Sequence, residues 1–252
     1  MLPSSSLERV SRIESFDTLS AGTDPMLKAV LYDLDDTLFA ARSVPEEAAR
    51  PLLTALREAL EGSGELKAAR IADIMDQLWD RPLDEIARLH GLSAEVLVRL
   101  GRLFAEFRLS CELKPYPDIQ IIEQVPGLRL LVTTGFRRLQ ESKIECLGIA
   151  HYFDRIIVDA LDEPERRGKQ AIFRELLETY RLRPGEVVVL GDNPHSEIDA
   201  GNALGIPTVQ ILRGRKRAAA SASFHVENLA RFLRWLETRG MCPSSSPRSN
   251  GP

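Results

Sequence analysis

The sequence of 252 residues is poor in cysteine, in excess positive charge and in long apolar runs. Its three cysteines, Cys111, Cys146 and Cys242, are odd in number and lie far apart. They exclude a disulfide framework and a CxxC metal site, and they fit a reducing compartment, so a cytoplasmic protein is expected. The net charge of −4 gives no general attraction to nucleic acid or acidic membranes, and the basic cluster at 213–217 is interpreted as a solvated loop.

Membrane insertion is also not expected. No apolar run approaches the roughly 20 residues that a transmembrane helix needs, and the polar stretch 4–20 lacks the apolar segment of a signal peptide. The hydrophobic fraction of 44% and the charged fraction of 28% are ordinary for a globular protein. A chain of this length can bury one large core, or a core and a smaller domain.

An acidic cluster follows the first apolar run of the chain. Residues 29–32 are apolar, and Asp33, Asp35 and Asp36 come directly after them. Short apolar runs of this kind predict buried strands. Carboxylates crowded at the end of a strand repel one another unless a cation neutralises them, and ligands bind at such ends in open parallel sheets. The alternative is a strand followed by a solvated acidic turn.

The pattern then changes from strand to helix over residues 40–112. Apolar positions recur there at three- and four-residue spacing, which predicts helices over 45–61, 65–79, 82–90 and 93–110. Because this insertion begins beside the acids, we interpret it as a helical cap that can close over them. The alternative is an independent helical domain that takes no part in chemistry.

Residues 27–39 and 113–240 are predicted to form an α/β core domain. Predicted strands and helices alternate after residue 113, which indicates a parallel sheet with helices on both faces. The predicted strands are 128–133, 155–158, 186–190 and 207–212, and the predicted helices are 118–125, 136–147, 170–180, 197–204 and 226–236. Residues 1–26 are predicted to form an extension and residues 241–252, rich in Ser and Pro, a disordered tail.

Small or polar residues end three of the predicted strands, and these ends lie along one edge of a parallel sheet. Several carboxylate oxygens there suit Mg²⁺. A hydroxyl, backbone N–H groups and one lysine could hold a phosphoryl group, and one carboxylate could attack phosphorus while a second transfers the proton. The residues at these ends are Asp33, Asp35, Thr133, Thr134, Gly135 and Asp192. Taken singly, Thr133 and Asp192 are at least as typical of an ordinary turn at the end of a strand as of a functional site.

Three motifs carry a family resemblance over about residues 27–236. They are Asp33-Leu-Asp-Asp-Thr-Leu38, Val132-Thr-Thr-Gly135 and Val189-Leu-Gly-Asp-Asn193 with Glu197. They resemble the first, second and fourth motifs of the haloacid dehalogenase (HAD) superfamily. The resemblance implies a Rossmann-like core with a helical cap after the first strand, Asp33 as the nucleophile that forms an aspartyl-phosphate, and Asp35 as the general acid/base. It also implies Mg²⁺ held by the carboxylates of Asp33 and Asp192 and the backbone carbonyl of Asp35, with Thr133 holding the phosphate.

Two positions depart from the family pattern. The family has a lysine as its third motif, which we assign to Lys169, although Arg167 stands where some members place that lysine. Glu197 stands where the fourth motif usually ends in Asp. We expect Glu197 to bind the metal through water or to orient Lys169, and we do not count it as a direct ligand.

The sequence therefore predicts a Mg²⁺-dependent phosphatase that hydrolyses a small phosphorylated metabolite, without nucleic-acid or membrane partners. One alternative is another reaction on the same fold, in a phosphomutase or a carbon–halogen hydrolase. Asp35 favours phosphoryl transfer, because members that cleave carbon–halogen bonds differ at that position. The other alternative is a non-catalytic binding or regulatory protein with a relic site.

Overall fold

The computed structural model describes residues 26–214 and 216–242. The predicted extension lies outside these ranges apart from Met26, and so does the predicted tail from residue 243 onwards. Met241, which we expected in the disordered tail, is buried, and its carbonyl accepts a hydrogen bond of 3.1 Å from the Leu27 N–H. Cys242 packs against the same core. The predicted start of the tail is therefore wrong, because residues 241 and 242 belong to the fold.

The described residues form one sheet of six parallel strands, in the order β3-β2-β1-β4-β5-β6. The strands are β1 (Ala29–Tyr32), β2 (Leu128–Gly135), β3 (Arg155–Ala160), β4 (Val187–Gly191), β5 (Thr208–Ile211) and β6 (Phe224–Val226). β1 pairs with β2 on one side and β4 on the other. The strand order reverses there, which is where open α/β sheets bind ligands. The predicted α/β fold with a parallel Rossmann-like sheet is confirmed.

A helical segment between β1 and β2 has a hydrophobic core of its own. It contains α1 (Glu46–Glu61), α2 (Ala68–Gln77), α3 (Leu83–His90) and α4 (Ala94–Glu106). Their apolar faces enclose the buried side chains of Leu56, Leu60, Ile74, Ile86 and Leu100. Phe136, just after β2, joins this cluster and stacks on Phe104 with ring centroids 4.9 Å apart. The segment is thus packed directly against the carboxyl end of the sheet.

The remaining helices accompany the sheet. They are α5 (Arg137–Leu147), α6 (Gly168–Thr179), α7 (Asp199–Asn202) and α8 (Leu229–Thr238). The expected helix over 118–125 is a 3₁₀ helix, Ile119–Gln124. No helix in the described ranges combines the length and the apolar character needed to cross a bilayer.

Two predicted helices need correction. The helix expected over 197–204 is a π-helical turn, Pro194–Ile198, followed by the short α7. Such wide turns are frequent at functional sites, and here the turn contains Glu197. The helix expected over 226–236 starts only at Leu229, where the Asn228 side chain caps it, and residues 224–226 form the edge strand β6 instead. A three-residue strand is too short to show an alternating pattern.

Candidate active site

The carboxyl ends of β1, β2 and β4 bring the predicted site residues together beside the helical segment. The Asp33 N–H donates to the Leu190 carbonyl at 3.0 Å, which extends the pairing of β1 and β4 by one residue. Asp36 has a left-handed backbone with φ of 54°, so the chain turns sharply there. One cavity of about 190 Å³ is lined by all the predicted site residues, namely Asp33, Asp35, Thr133, Thr134, Gly135, Lys169 and Asp192.

Lys169 is the base that faces the expected nucleophile. Its Nζ donates to Asp33 Oδ1 at 2.6 Å and to Glu197 Oε2 at 2.8 Å, and its side chain is only 5% exposed. Arg167, the other candidate, forms a surface ion pair with Glu175. The structure therefore brings Lys169, and not Arg167, to Asp33.

Glu197 is held on both carboxylate oxygens by the protein itself. Besides Lys169 on Oε2, the Asn193 N–H donates to Oε1 at 2.6 Å. Gly191 leaves room for this side chain, since a Cβ at residue 191 would overlap with the Glu197 carboxyl group. Glu197 thus orients Lys169 and closes the loop that follows β4.

The charges in this cluster shift one another. Burial raises the pKa of Asp33 to about 7; the Glu197 charge adds to the increase and Lys169 opposes it. Burial and the charges of Glu197 and Asp33 also raise the pKa of Asp192 well above its ordinary value. Burial opposes the charged form of Lys169, but its two carboxylate partners outweigh burial and raise the pKa of the lysine. The single ammonium of Lys169 is stabilised in its charged form by two carboxylates. It compensates the negative charge of these two carboxylates only in part.

Two residues of α5 that sequence reasoning missed hold Asp35. The Lys143 Nζ donates to Asp35 Oδ1 at 2.7 Å, and the Gln140 Nε2 donates to Asp35 Oδ2 at 3.0 Å. Gln140 Nε2 also contacts Thr133 Oγ1 at 2.9 Å. A Cβ at Gly135 would approach the Gln140 side chain to 2.8 Å, so the glycine makes room for this amide. The available signal was a pair of polar residues three positions apart on the helix that follows a polar strand end.

The basic loop after β5 also reaches the site. The Lys216 Nζ lies 2.7 Å from Asp192 Oδ2 and 3.0 Å from Asp36 Oδ2. Arg213 is 8% exposed and pairs with Asp118 at 2.9 Å. The interpretation of 213–217 as a solvated loop is therefore wrong for these two residues, because the loop folds back over the strand ends.

A family model of haloacid dehalogenase-like hydrolases matches residues 27–205. The chain belongs to this family. It is 31% identical over 212 residues to the glyceraldehyde 3-phosphate phosphatase of Methanopyrus kandleri, an alignment that covers 75% of this chain and 86% of that protein. It is 26% identical over 204 residues to the phosphatase of the same name from Methanocaldococcus jannaschii, covering 75% and 87% of the two chains.

Solved structures agree with the family fold. The crystal structure of a HAD phosphatase from Thermococcus onnurineus matches this HAD hydrolase with a TM-score of 0.56 and 21% identity, covering 83% of this chain and 98% of that one. The predictions of HAD membership and of a phosphoric monoester hydrolase are confirmed by the family match and by the phosphatases among its relatives.

The donor set of this HAD hydrolase fits a divalent cation. Asp33, Asp192 and Glu197 are buried, and each offers a carboxylate oxygen within 4.8 Å of the others. Both oxygens of Glu197 are engaged by Lys169 and Asn193, whereas the lysines contact only one oxygen each of Asp33 and Asp192, so these two carboxylates could bind a cation directly. When all are ionised, the five carboxylates at the site among the described residues exceed the three lysine ammonium groups by two charges, and this excess is consistent with the raised pKa values of Asp33 and Asp192. Hard oxygen donors with this excess charge suit a hard divalent cation.

Proposed function

We propose that this HAD hydrolase is a Mg²⁺-dependent phosphatase that hydrolyses a small phosphorylated metabolite in the cytoplasm. The observation that carries the proposal is the buried contact of 2.6 Å between Asp33 and Lys169, in the cavity that Thr133 also lines. A carboxylate beside a charged lysine and a strand-end hydroxyl is suited to attack a phosphoryl group held by that lysine. The small and odd number of cysteines, three in all, supports a reducing compartment.

The phosphoryl group would be bound by residues of β2 and α6. The Lys169 ammonium, the Thr133 hydroxyl and the backbone N–H groups of Thr134 and Gly135 are the proposed partners of its oxygens. Mg²⁺, held by the carboxylates of Asp33 and Asp192 and the backbone carbonyl of Asp35, would supply positive charge to a phosphoryl oxygen and reduce its repulsion by the acids. Catalysis then rests mainly on positioning and charge stabilisation.

The chemical steps are assigned to the two aspartates of the first motif. The Asp33 carboxylate attacks phosphorus, and the bond to the leaving oxygen breaks as the aspartyl-phosphate forms. Asp35, held by Lys143 and Gln140, donates a proton to the leaving oxygen. It then takes a proton from the water that hydrolyses the aspartyl-phosphate, which regenerates both carboxyl groups. General acid–base catalysis of this kind contributes about 10²- to 10⁴-fold in rate.

The helical segment, residues 40–112, is proposed to act as a cap on the core domain of residues 27–39 and 113–240. Arg166 joins the two parts, because its Nη1 donates to Asp84 Oδ2 of α3 at 2.6 Å and its Nε to Asp159 Oδ2 of β3 at 3.1 Å. A closed cap would exclude bulk water from the aspartyl-phosphate.

The test is release of inorganic phosphate from p-nitrophenyl phosphate, with and without Mg²⁺. We expect metal-dependent turnover in the wild type and none in Asp33→Asn, which keeps the shape of the side chain. The variant should remain folded, because Lys169 keeps Glu197 as its ionic partner and the buried charge of Asp33 is removed. Asp73→Asn, at an exposed carboxylate of α2, is the matched control and should keep full activity. Retained turnover in Asp33→Asn would refute the assignment of Asp33 as the nucleophile.

A further inference from the structure

The cavity that contains Asp33 has two chemically different ends. The sheet edge supplies the carboxylates and lysines described above. The opposite wall is supplied mostly by the helical segment, and its side chains are almost all hydrocarbon or aromatic. They include Leu52, Leu53, Leu78, Trp79, Phe104 and Phe107. A substrate whose phosphoryl group lies at Asp33 would therefore place its leaving group against an apolar wall.

The charged groups on this wall already have partners. Among the described cavity-lining residues of the helical segment, Asp80 and Arg81 carry charge. Asp80 is bonded to Arg42 at 2.7 Å, and Arg81 forms an ion pair with Glu85. Both groups are therefore already charge-paired, and this wall offers no unpaired charge to a substrate among the described residues.

The size of the cavity favours a small leaving group. Its volume of about 190 Å³ is of the same order as that of an apolar cavity of about 150 Å³ that binds benzene. Part of the space must hold the phosphoryl group itself. The remaining volume accommodates one small ring or a short branched chain.

We infer that the substrate is a phosphomonoester of a compact apolar alcohol, aromatic or branched aliphatic, and not of a polyhydroxylated one. The inference rests on the proposed phosphatase function and names its substrate class. Each hydroxyl buried without a partner against this wall would lower affinity by about ten- to hundredfold, whereas each added carbon that fits the wall raises it. The inferred substrate class therefore differs from the substrate in the name of the relatives, glyceraldehyde 3-phosphate.

Two esters of primary alcohols separate recognition from reactivity. Benzyl phosphate and glyceraldehyde 3-phosphate both release a primary alcohol, so a difference in kcat/KM reports mainly on the leaving-group pocket. We expect kcat/KM for benzyl phosphate to be higher by about tenfold or more in the wild-type enzyme with Mg²⁺. Equal values, or a preference for glyceraldehyde 3-phosphate, would overturn the inference and leave the phosphatase function standing.

Variants of the apolar wall test its location. Trp79 is half-buried, so Trp79→Ala should fold; we expect it to lower kcat/KM for benzyl phosphate by about tenfold, mostly through KM. Leu53→Ala provides a second variant of the same wall. The control is Val98→Ala on α4, where the side chain is 54% exposed and does not line the cavity. An equal loss for both substrates in the wall variants would contradict a role in leaving-group recognition.

A binding measurement keeps the two proposals distinguishable. If neither ester is hydrolysed, the phosphatase function fails, and the pocket is then judged from calorimetry with benzylphosphonate and methylphosphonate. We expect benzylphosphonate to bind at least about tenfold more tightly, because the ring removes apolar area from water. Equal affinities of the wild type for the two phosphonates would overturn the inference.

Discussion

Replacing Lys169 by methionine tests the centre of the site most directly. The ammonium of Lys169 is shared by Asp33 at 2.6 Å and Glu197 at 2.8 Å. The side chains of Lys169, Asp33 and Glu197 are 5%, 8% and 2% exposed, so the little solvent that reaches them replaces the lysine poorly. Methionine keeps an unbranched, flexible side chain at this position and removes only the charge and the donors. Two buried carboxylates then remain without their common partner.

The expected cost follows from this burial. Removing one partner of a buried ion pair costs about 3–5 kcal/mol, because it leaves an uncompensated buried charge. We expect the free energy of unfolding of Lys169→Met to fall by about that amount at neutral pH without divalent metal. For a chain of this size, each 1 kcal/mol lowers Tm by about 2–4 °C, so the melting temperature should fall on the order of 6–20 °C.

Urea denaturation followed by circular dichroism in a chelating buffer measures this loss. The matched control is Arg167→Met, since Arg167 lies two residues away and its 56% exposed side chain pairs only with Glu175 among the described residues. Surface ion pairs contribute about 0–1 kcal/mol, so this control should change little. The assignment of Lys169 as the common ionic partner of Asp33 and Glu197 would be refuted by either of two results. One is a decrease in the free energy of unfolding of Lys169→Met below about 1 kcal/mol, and the other is an equal decrease for the two variants.

Two further predictions concern residues outside the resemblance. Lys143→Met should lower kcat by about tenfold or more with KM nearly unchanged, because Lys143 holds Asp35 and not the substrate; a higher KM with unchanged kcat in steady-state assays would contradict this. Glu186 has its pKa lowered to about 2 by the hydrogen bonds of Arg183 and by Lys28. Its stabilising effect is therefore present above its ordinary pKa of 4.5 and is lost as the pH falls towards 2. Urea titrations should show the stability advantage of the wild type over Glu186→Gln shrinking below about pH 5; a difference independent of pH would contradict it.

The sheet was predictable from the sequence because its central strands are buried on both faces. Every residue of β1 and β4 is buried, and such strands appear as continuous apolar runs. The edge strand β6 gives no such signal, since it is three residues long and Phe224 is 41% exposed. The turn around Glu197 was missed for another reason. Its π-helical geometry depends on Glu197 bonding back to Asn193 and across to Lys169, which local periodicity does not report.

The acidic half of the site was predictable, and most of the basic half was not. The aspartates stand in short motifs at strand ends, so their proximity follows from the parallel sheet alone. Lys143 is 108 residues away from Asp35 in the chain, and only the packing of α5 against β2 brings the two side chains together. The position of Lys216 at the site was not predictable for a different reason, because a cluster of basic residues in a loop is usually solvated.

The three lysines change the physical meaning of the acidic motif. From the sequence alone, the crowded aspartates predicted a cation that reduces their mutual repulsion, and we assigned that role to a metal ion. In the structure each ammonium arrives on a different segment, α5, α6 and the loop after β5, and each contacts a different aspartate of the site. Each aspartate of the first motif therefore has a lysine of the protein itself as a partner, which offsets part of the repulsion between them. A divalent cation would balance the two negative charges by which the ionised carboxylates at the site exceed the lysines among the described residues. Under the proposed mechanism, the acids depend on the lysines for folding and on the metal for chemistry.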